Sequence, residues 1–322
     1  MNLDAMLEKC RREQWKVGDL DWSGEPRAMN REDEMAIVQY FTDMAGIERL
    51  AGALFAEQER RAKDPRLKAI FGTFVQDEVR HAQAAQMLAD FYDVHRYKLY
   101  QTNPALVRFT PHFVNGIRYL SAEIANTYIT CGELILDIAL LRSINDHVGD
   151  AMSQKAMDLI NRDESRHIAV DFHMIEYYSS QAYADELAKA PPASPQQRAK
   201  AAWALSNMLY YAAPFFKDVF FGPMEVVDPS GKRMREAFKR MQLIATKPTA
   251  RRSNFVRVME ALYEAYNRNT AVRVVFGKPI ERVLGVKAEV ITRLYTDAEK
   301  RRAQTMSFDE LAEDALAAKH AA

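Results

Sequence analysis

The five residues Asp77-Glu78-Val79-Arg80-His81 return at Asp163-Glu164-Ser165-Arg166-His167 with only the middle one changed. Each run sits where apolar residues recur every three or four positions, the period of an amphipathic helix. Residues three apart share a helical face, so Glu78 with His81, and Glu164 with His167, each present a carboxylate beside an imidazole. A single Glu-x-x-His pair arises readily by chance. The full Asp-Glu-x-Arg-His pattern is expected in fewer than about one chain in a hundred of average composition, and two copies are rarer still.

The helices around these runs can be read outward from them. Asn30 with Asp33 and Glu34 marks a helix start, and the apolar period then runs from Met35 to about Arg61. A turn around Pro65 leads into a second helix through Ile70 and Phe74 to Tyr92, so the two form an antiparallel hairpin. Residues 96–117 contain Pro104 and Pro111 and no clean period, which predicts a long crossover with one short helix in it. A third helix is expected from about Arg118 to Ile144, a tight turn at 145–150, and a fourth helix from about Met152 to Ser180. The predicted fold is all-α: a ferritin-like four-helix bundle with one long crossover, plus additional C-terminal helices. The proline-rich stretch at 190–196 divides an arm and bundle at 1–190 from a helical extension at 191–322 packed on the bundle. That extension reads as helical pieces around Trp203, Met234, Val258 and Leu284, with the last dozen residues frayed.

In such a bundle the two remaining helices can each supply a carboxylate. Glu48 stands about 15 residues before the turn near Lys63 and Glu78 about 15 after it, so at ~1.5 Å per residue the two lie at one height. Glu133 and Glu164 balance in the same way across the second turn. Glu48, Glu78, His81, Glu133, Glu164 and His167 thus converge on one layer as candidate metal ligands. Four carboxylates in a dry interior without a cation would repel one another and carry a large desolvation cost.

Composition narrows the function classes. Hydrophobic residues make up 48% and charged residues 27%, and 44 basic side chains balance 44 acidic ones. That is a globular composition with no electrostatic reason to expect nucleic acid. No apolar run suggests a signal segment or a membrane span, so a cytoplasmic protein with no membrane partner is expected. Cys10 and Cys131 lack metal-type spacing and read as free thiols.

With the doubled motif and its two preceding glutamates in place, the chain resembles the bacterial di-iron oxygenase superfamily over residues 30–180 or so. Methane monooxygenase hydroxylase, acyl-carrier-protein desaturases, the ribonucleotide reductase small subunit and p-aminobenzoate N-oxygenase share this signature, and the last is nearest in style. The resemblance implies that the six residues above hold two iron ions, with a manganese–iron pair as the alternative. It implies that Asp77 and Asp163 accept hydrogen bonds from the outer nitrogens of the histidines across the bundle, and that Arg80 and Arg166 pair with those aspartates. It further implies O2 and a small organic substrate, an electron donor of ferredoxin or reductase type, and a monomer or homodimer. Several positions depart from individual members. Ala85 replaces the radical tyrosine of the reductase subunit, and Ile160 stands where the N-oxygenases have an extra histidine. Tyr128 matches the tyrosine of the ligand-binding oxidases, but Leu50 replaces their crosslinked valine.

The neighbours of the ligands leave alternatives open. Ala45, Gly52, Ala82 and Ala85 either make room for O2 and substrate or mark tight helix contacts. Asp137 reads as a catalytic base or proton relay, or as a partner for a helix arginine. Thr130 hydrogen-bonds either the site or its own backbone. Cys131 points elsewhere, and His95, His112, His147, His173 and His320 fall outside the ligand phase. The basic run at 231–240 is a solvated face or a dock for an acidic partner. The functional expectation is an O2-activating di-iron oxygenase acting by N-oxygenation or hydroxylation. A desaturase, a manganese–iron oxidase, or an iron-handling protein of ferritin or rubrerythrin type are the alternatives.

Overall fold

In the computed structural model, residues 1–141, 143–144, 148–253 and 292–321 are described, with 256, 257, 260, 264, 267 and 268 between them. Among these residues the fold is entirely helical. Helix α1 spans Leu3–Arg12, α2 Arg31–Arg61, α3 Pro65–Tyr92, α4 Pro104–Tyr119, α5 Ala122–Leu134 and α6 Ala151–Tyr178. Then come α7 Gln181–Lys189, α8 Pro195–Phe215, α9 Gly222–Val227, α10 Lys232–Ala245, α11 Asp297–Thr305 and α12 Phe308–Ala321. Wider π-helical turns at Ile135–Leu141 and Phe216–Phe221 continue α5 and α8.

Local chemistry places these ends. The Asn30 side chain accepts from the Asp33 amide at 2.9 Å and starts α2. Pro65 sits in the first turn of α3, where its missing N–H costs nothing. The Ser121 side chain caps α5, which starts at Ala122, four residues later than the expected start at Arg118. Arg118 instead belongs to α4, a full helix where the sequence predicted a crossover with one short helical piece. Pro104 is an N-terminal proline of α4 with Asn103 as its cap. Pro111 lies within α4, where its missing N–H frees the carbonyl of the exposed Val107, a group that water can reach.

α2 and α3 pack along their whole length, α5 lies against α6, and the two pairs meet through α2–α5 and α3–α6. The Tyr92 hydroxyl at the end of α3 contacts Asp150 and Ser153 at the start of α6, so α3 and α6 run antiparallel. Glu78 stands as far before Tyr92 as Glu164 stands after Asp150, which sets the two motifs at one level. The crossover is pinned to α2 at both ends. Asp43 accepts the Asn103 amide at 2.6 Å, and Arg61 donates to the carbonyls of Ile117 at 2.8 Å and Leu120 at 3.0 Å. Midway, a Cβ on Gly46 would lie 2.8 Å from Leu106 Cδ2, so a glycine allows α4 to approach this closely.

The later helices pack back on the earlier ones: α8 on α4, α10 on the π-helical part of α5, and α12 on α6. Leu311, Ala312 and Ala315 are buried on α12, so most of the final dozen residues are docked, contrary to the frayed end expected from composition. The expected helical pieces around Val258 and Leu284 lie outside the described residues, as does His147.

Phe109 of α4 stacks on Phe215 of α8 with centroids 4.5 Å apart, and both rings are buried. Replacing either by alanine is expected to cost about 3–5 kcal/mol. If residues 195–221 fold as one body with α4, the double variant will depart from additivity by more than about 0.5 kcal/mol in denaturant unfolding. Strict additivity would indicate that α8 is held independently of α4.

Candidate metal centre

Each of the four central helices carries one glutamate into a common layer: Glu48 from α2, Glu78 from α3, Glu133 from α5 and Glu164 from α6. All four are buried, as are His81 and His167. Ligand atoms of Glu48, Glu78, His81 and Glu164 lie within 4.8 Å of one another, and so do those of Glu78, Glu133, Glu164 and His167. The two groups share Glu78 and Glu164. Each keeps one private glutamate and one private histidine, so the pattern offers two adjacent cation positions with two carboxylates placed to bridge them.

Both imidazoles turn Nδ1 inward. His81 Nδ1 lies 3.0 Å from Glu164 Oε1 and 3.8 Å from Glu78 Oε2, while His167 Nδ1 lies 3.2 Å from Glu78 Oε1 and 3.0 Å from Glu164 Oε2. The outer nitrogens cross between helices, His81 Nε2 to Asp163 Oδ2 at 3.2 Å and His167 Nε2 to Asp77 Oδ2 at 3.4 Å. With Nε2–H donated to an aspartate, Nδ1 keeps its lone pair for a cation. Arg166 donates to Asp163 at 2.7 Å and to Asp77 at 3.2 Å, and Arg80 pairs with Asp77 and reaches Asp163 at 3.3 Å. Each motif therefore supplies an aspartate for the other's histidine and an arginine for that aspartate.

Two observations test the fit of metal ions to this donor set. Both oxygens of Glu48 and Oε2 of Glu133 are buried without a hydrogen-bond partner, as donor atoms reserved for a cation would be. Charge agrees as well. The two aspartates are balanced by two arginines, which leaves the four inner glutamates, formally −4, to be matched by two divalent cations. Phe55 and Phe74 close one side, their rings 4.9 Å and 4.2 Å from that of His167, and keep water from that imidazole.

Electrostatics show what holds the layer together when protons stand in for cations. Burial first, and the neighbouring carboxylates second, push Glu48 and Glu133 well above the usual range. Burial would lower both histidines. The Asp163 and Glu164 hydrogen bonds outweigh it for His81, and the Glu164 charge with the Asp77 hydrogen bond outweighs it for His167, so both are raised. Burial would raise Glu164 and Asp163, but the charged imidazoles beside them win and both are lowered.

Sequence reasoning missed the arm before α2. Gln14 Nε2 donates to Asp77 at 3.1 Å, and its carbonyl oxygen accepts from Arg80 at 2.8 Å. Trp15 Nε1 donates to Asp163 at 2.7 Å, and the Arg80 guanidinium lies 5.3 Å from a Trp15 ring centroid. Glu13 accepts from Arg166 at 3.0 Å. Three consecutive residues thus close the outer ring of charges. Their signal in the sequence was only a tryptophan next to polar residues in an irregular segment.

The remaining candidates fall out as follows. Thr130 donates to the Asn126 carbonyl at 2.9 Å, the backbone alternative, so its hydroxyl proton stays within its own helix. Asp137 is fully buried in the π-helical turn after Glu133, and its oxygens are not among the converging ligand atoms. Gly52 marks a tight contact, since a Cβ there would meet Glu78 Cβ at 3.2 Å. Tyr128 packs on Phe113 of α4 with centroids 5.9 Å apart. His95 pairs with Glu34 and His112 stacks on Tyr211. Burial raises the Cys131 thiol to about 12, which suits a packed thiol and not a ligand. In the basic run, Lys239 and Arg240 pair with Glu236, Glu299 and Asp314, while Lys232 and Arg235 are exposed. Asp171, which the sequence did not single out, is wholly buried with both oxygens unpartnered, and burial holds its carboxyl well above the usual range.

No family model matches this chain, and no curated protein matches it in sequence.

Two predictions follow from this geometry. Trp15→Phe removes one donor to Asp163 while keeping the ring volume, and should weaken metal binding about 10- to 100-fold in a chelator competition with little change in helix content. The second concerns pH. Glu48 and Glu133 hold protons in the folded metal-free protein that the unfolded chain gives up above about pH 4.3, and the histidines hold protons given up above about pH 6.5. Metal-free stability is therefore lost as pH rises through neutrality, whereas metal binding strengthens as those protons leave. The Tm gain on adding ferrous or manganous ion should grow from pH 6 to pH 8, and a gain that shrinks with pH would contradict the assignment.

Proposed function

We propose that this chain is an O2-activating non-haem di-iron oxidoreductase of monooxygenase type, built as a ferritin-like four-helix bundle with one long crossover and additional C-terminal helices. In this reading residues 1–190 form the arm and bundle, and 191–322 the extension that packs on it. The observation that carries the proposal is the pair of overlapping ligand groups sharing Glu78 and Glu164. Chemistry on O2 benefits from two metals held a fixed short distance apart.

Two iron ions, or a manganese–iron pair, would supply the electrons and Lewis acidity that O2 chemistry requires. The chain's own share is positional. Glu78 and Glu164 would be shared by the two positions, and Glu48 and Glu133 would each belong to one. His81 and His167 offer Nδ1 while Asp163 and Asp77 hold the Nε2 proton and the ring orientation. Arg80 and Arg166 keep both aspartates ionised, and Phe55 and Phe74 exclude water at His167. Electrons would be returned by an external donor such as a ferredoxin or reductase, and the substrate is a small organic molecule.

Metal analysis of protein from iron- and manganese-supplemented cells should give about two ions per chain. The reduced protein should consume O2, and Glu78→Ala or Glu164→Ala should abolish that consumption, because each removes a ligand from both positions at once. Many irons per chain in a hollow assembly would favour iron handling. Full O2 consumption in either variant would defeat the oxygenase reading.

A further inference from the structure

The outer side of the α4–α8 pair leaves several large apolar side chains exposed. The helices run antiparallel, with Phe109 on Phe215, His112 on Tyr211 and Gly116 against Met208. Their inner faces are thereby satisfied, yet Val107 and Tyr119 on α4 and Trp203, Leu209 and Tyr210 on α8 remain exposed, Trp203 and Tyr210 at 74% each. Positions 203 and 210 are seven apart and share one helical face, which continues through Pro214 and is flanked by Lys200 and Lys217.

The charges around this patch say what covers it. Arg108, Arg118, Arg198, Lys200 and Lys217 are exposed, and none has a carboxylate within ion-pair distance among the described residues. Lys200 instead lies 6.0 Å from the Tyr119 ring centroid. Acids on these segments are confined to Asp218 and Glu225. A second copy docking by a two-fold axis would set this cationic face against its own duplicate, an arrangement that repels. A surface rich in negative charge with an apolar layer beneath it suits both halves of the patch. Tryptophan and tyrosine rings settle at headgroup depth, lysine stems lie along the apolar boundary with their ammonium groups outside it, and the cations are drawn to anionic lipids.

We propose that the α4–α8 face docks peripherally on an anionic lipid surface. Whole-chain composition conceals it, because the net charge of zero averages this basic face against acidic residues elsewhere. The inference does not depend on the metal chemistry, and its test needs no metal.

The full-length protein is sedimented with phosphatidylcholine vesicles and with phosphatidylcholine–phosphatidylglycerol vesicles, beside a measurement of its mass in solution. Binding is expected to the anionic vesicles alone and to weaken as salt is raised. Lys200→Ala with Lys217→Ala should lower partitioning about thirtyfold. Trp203→Ser with Tyr210→Ser should lower it about tenfold or more, with unchanged circular dichroism and Tm because both side chains are exposed. Absence of binding, equal binding to both vesicle types, or aromatic variants that bind like the parent would overturn the proposal. So would a solution dimer that dissociates on changing Trp203, since the face would then belong to a second copy.

Discussion

Four glutamates that repel one another have been brought into a single dry layer, and the rest of the chain is arranged to make that tolerable. A buried carboxylate without a partner costs several kcal/mol at least, so the arrangement persists only where protons or cations are supplied in matching number. The imidazoles supply part of that, and the crossed pairing with Asp77 and Asp163 makes their contribution directional. Each histidine is oriented by the other half of the motif, so neither half is complete alone. This is why the five-residue run had to occur twice.

The layer and its outer charges were legible because helical periodicity ties sequence spacing to direction. Glu78 and His81 must share a face, and the turn positions fix the heights of Glu48 and Glu133, so counting residues reached the same six side chains that the fold brings together. The crossed aspartates followed from the resemblance and are where it implied. What stayed hidden has physical causes. α4 was obscured by its prolines, one of which sits at a helix start and the other opposite a carbonyl open to water. The π-helical turn at 135–141 carries no residue signature, since its apolar run reads the same as a continued α-helix. Glu13, Gln14 and Trp15 lie in an irregular stretch with no period, and their partners are far away in sequence.

Close approach likewise explains two glycines of α2. Gly52 and Gly46 are both on α2, on sides that meet different neighbours. At Gly52 the missing side chain lets Glu78 reach the layer, and at Gly46 it lets the crossover helix lie flat. α2 is thus shaped by what must come close to it.

The arm bears on the order of assembly. Trp15 meets Asp163 across 148 residues and Glu13 meets Arg166 across 153, among the longest-range polar contacts in the molecule. Closing a loop of such length carries an entropic cost that a contact between neighbours in sequence does not. During synthesis the arm emerges first yet has nowhere to seat until α6 is complete, and until then the Asp77–Asp163 side of the layer stands open. Glu13 and Trp15 thus tie both motifs to a segment that precedes them in the chain, so the ring of charges outside the layer is completed only once α6 is in place.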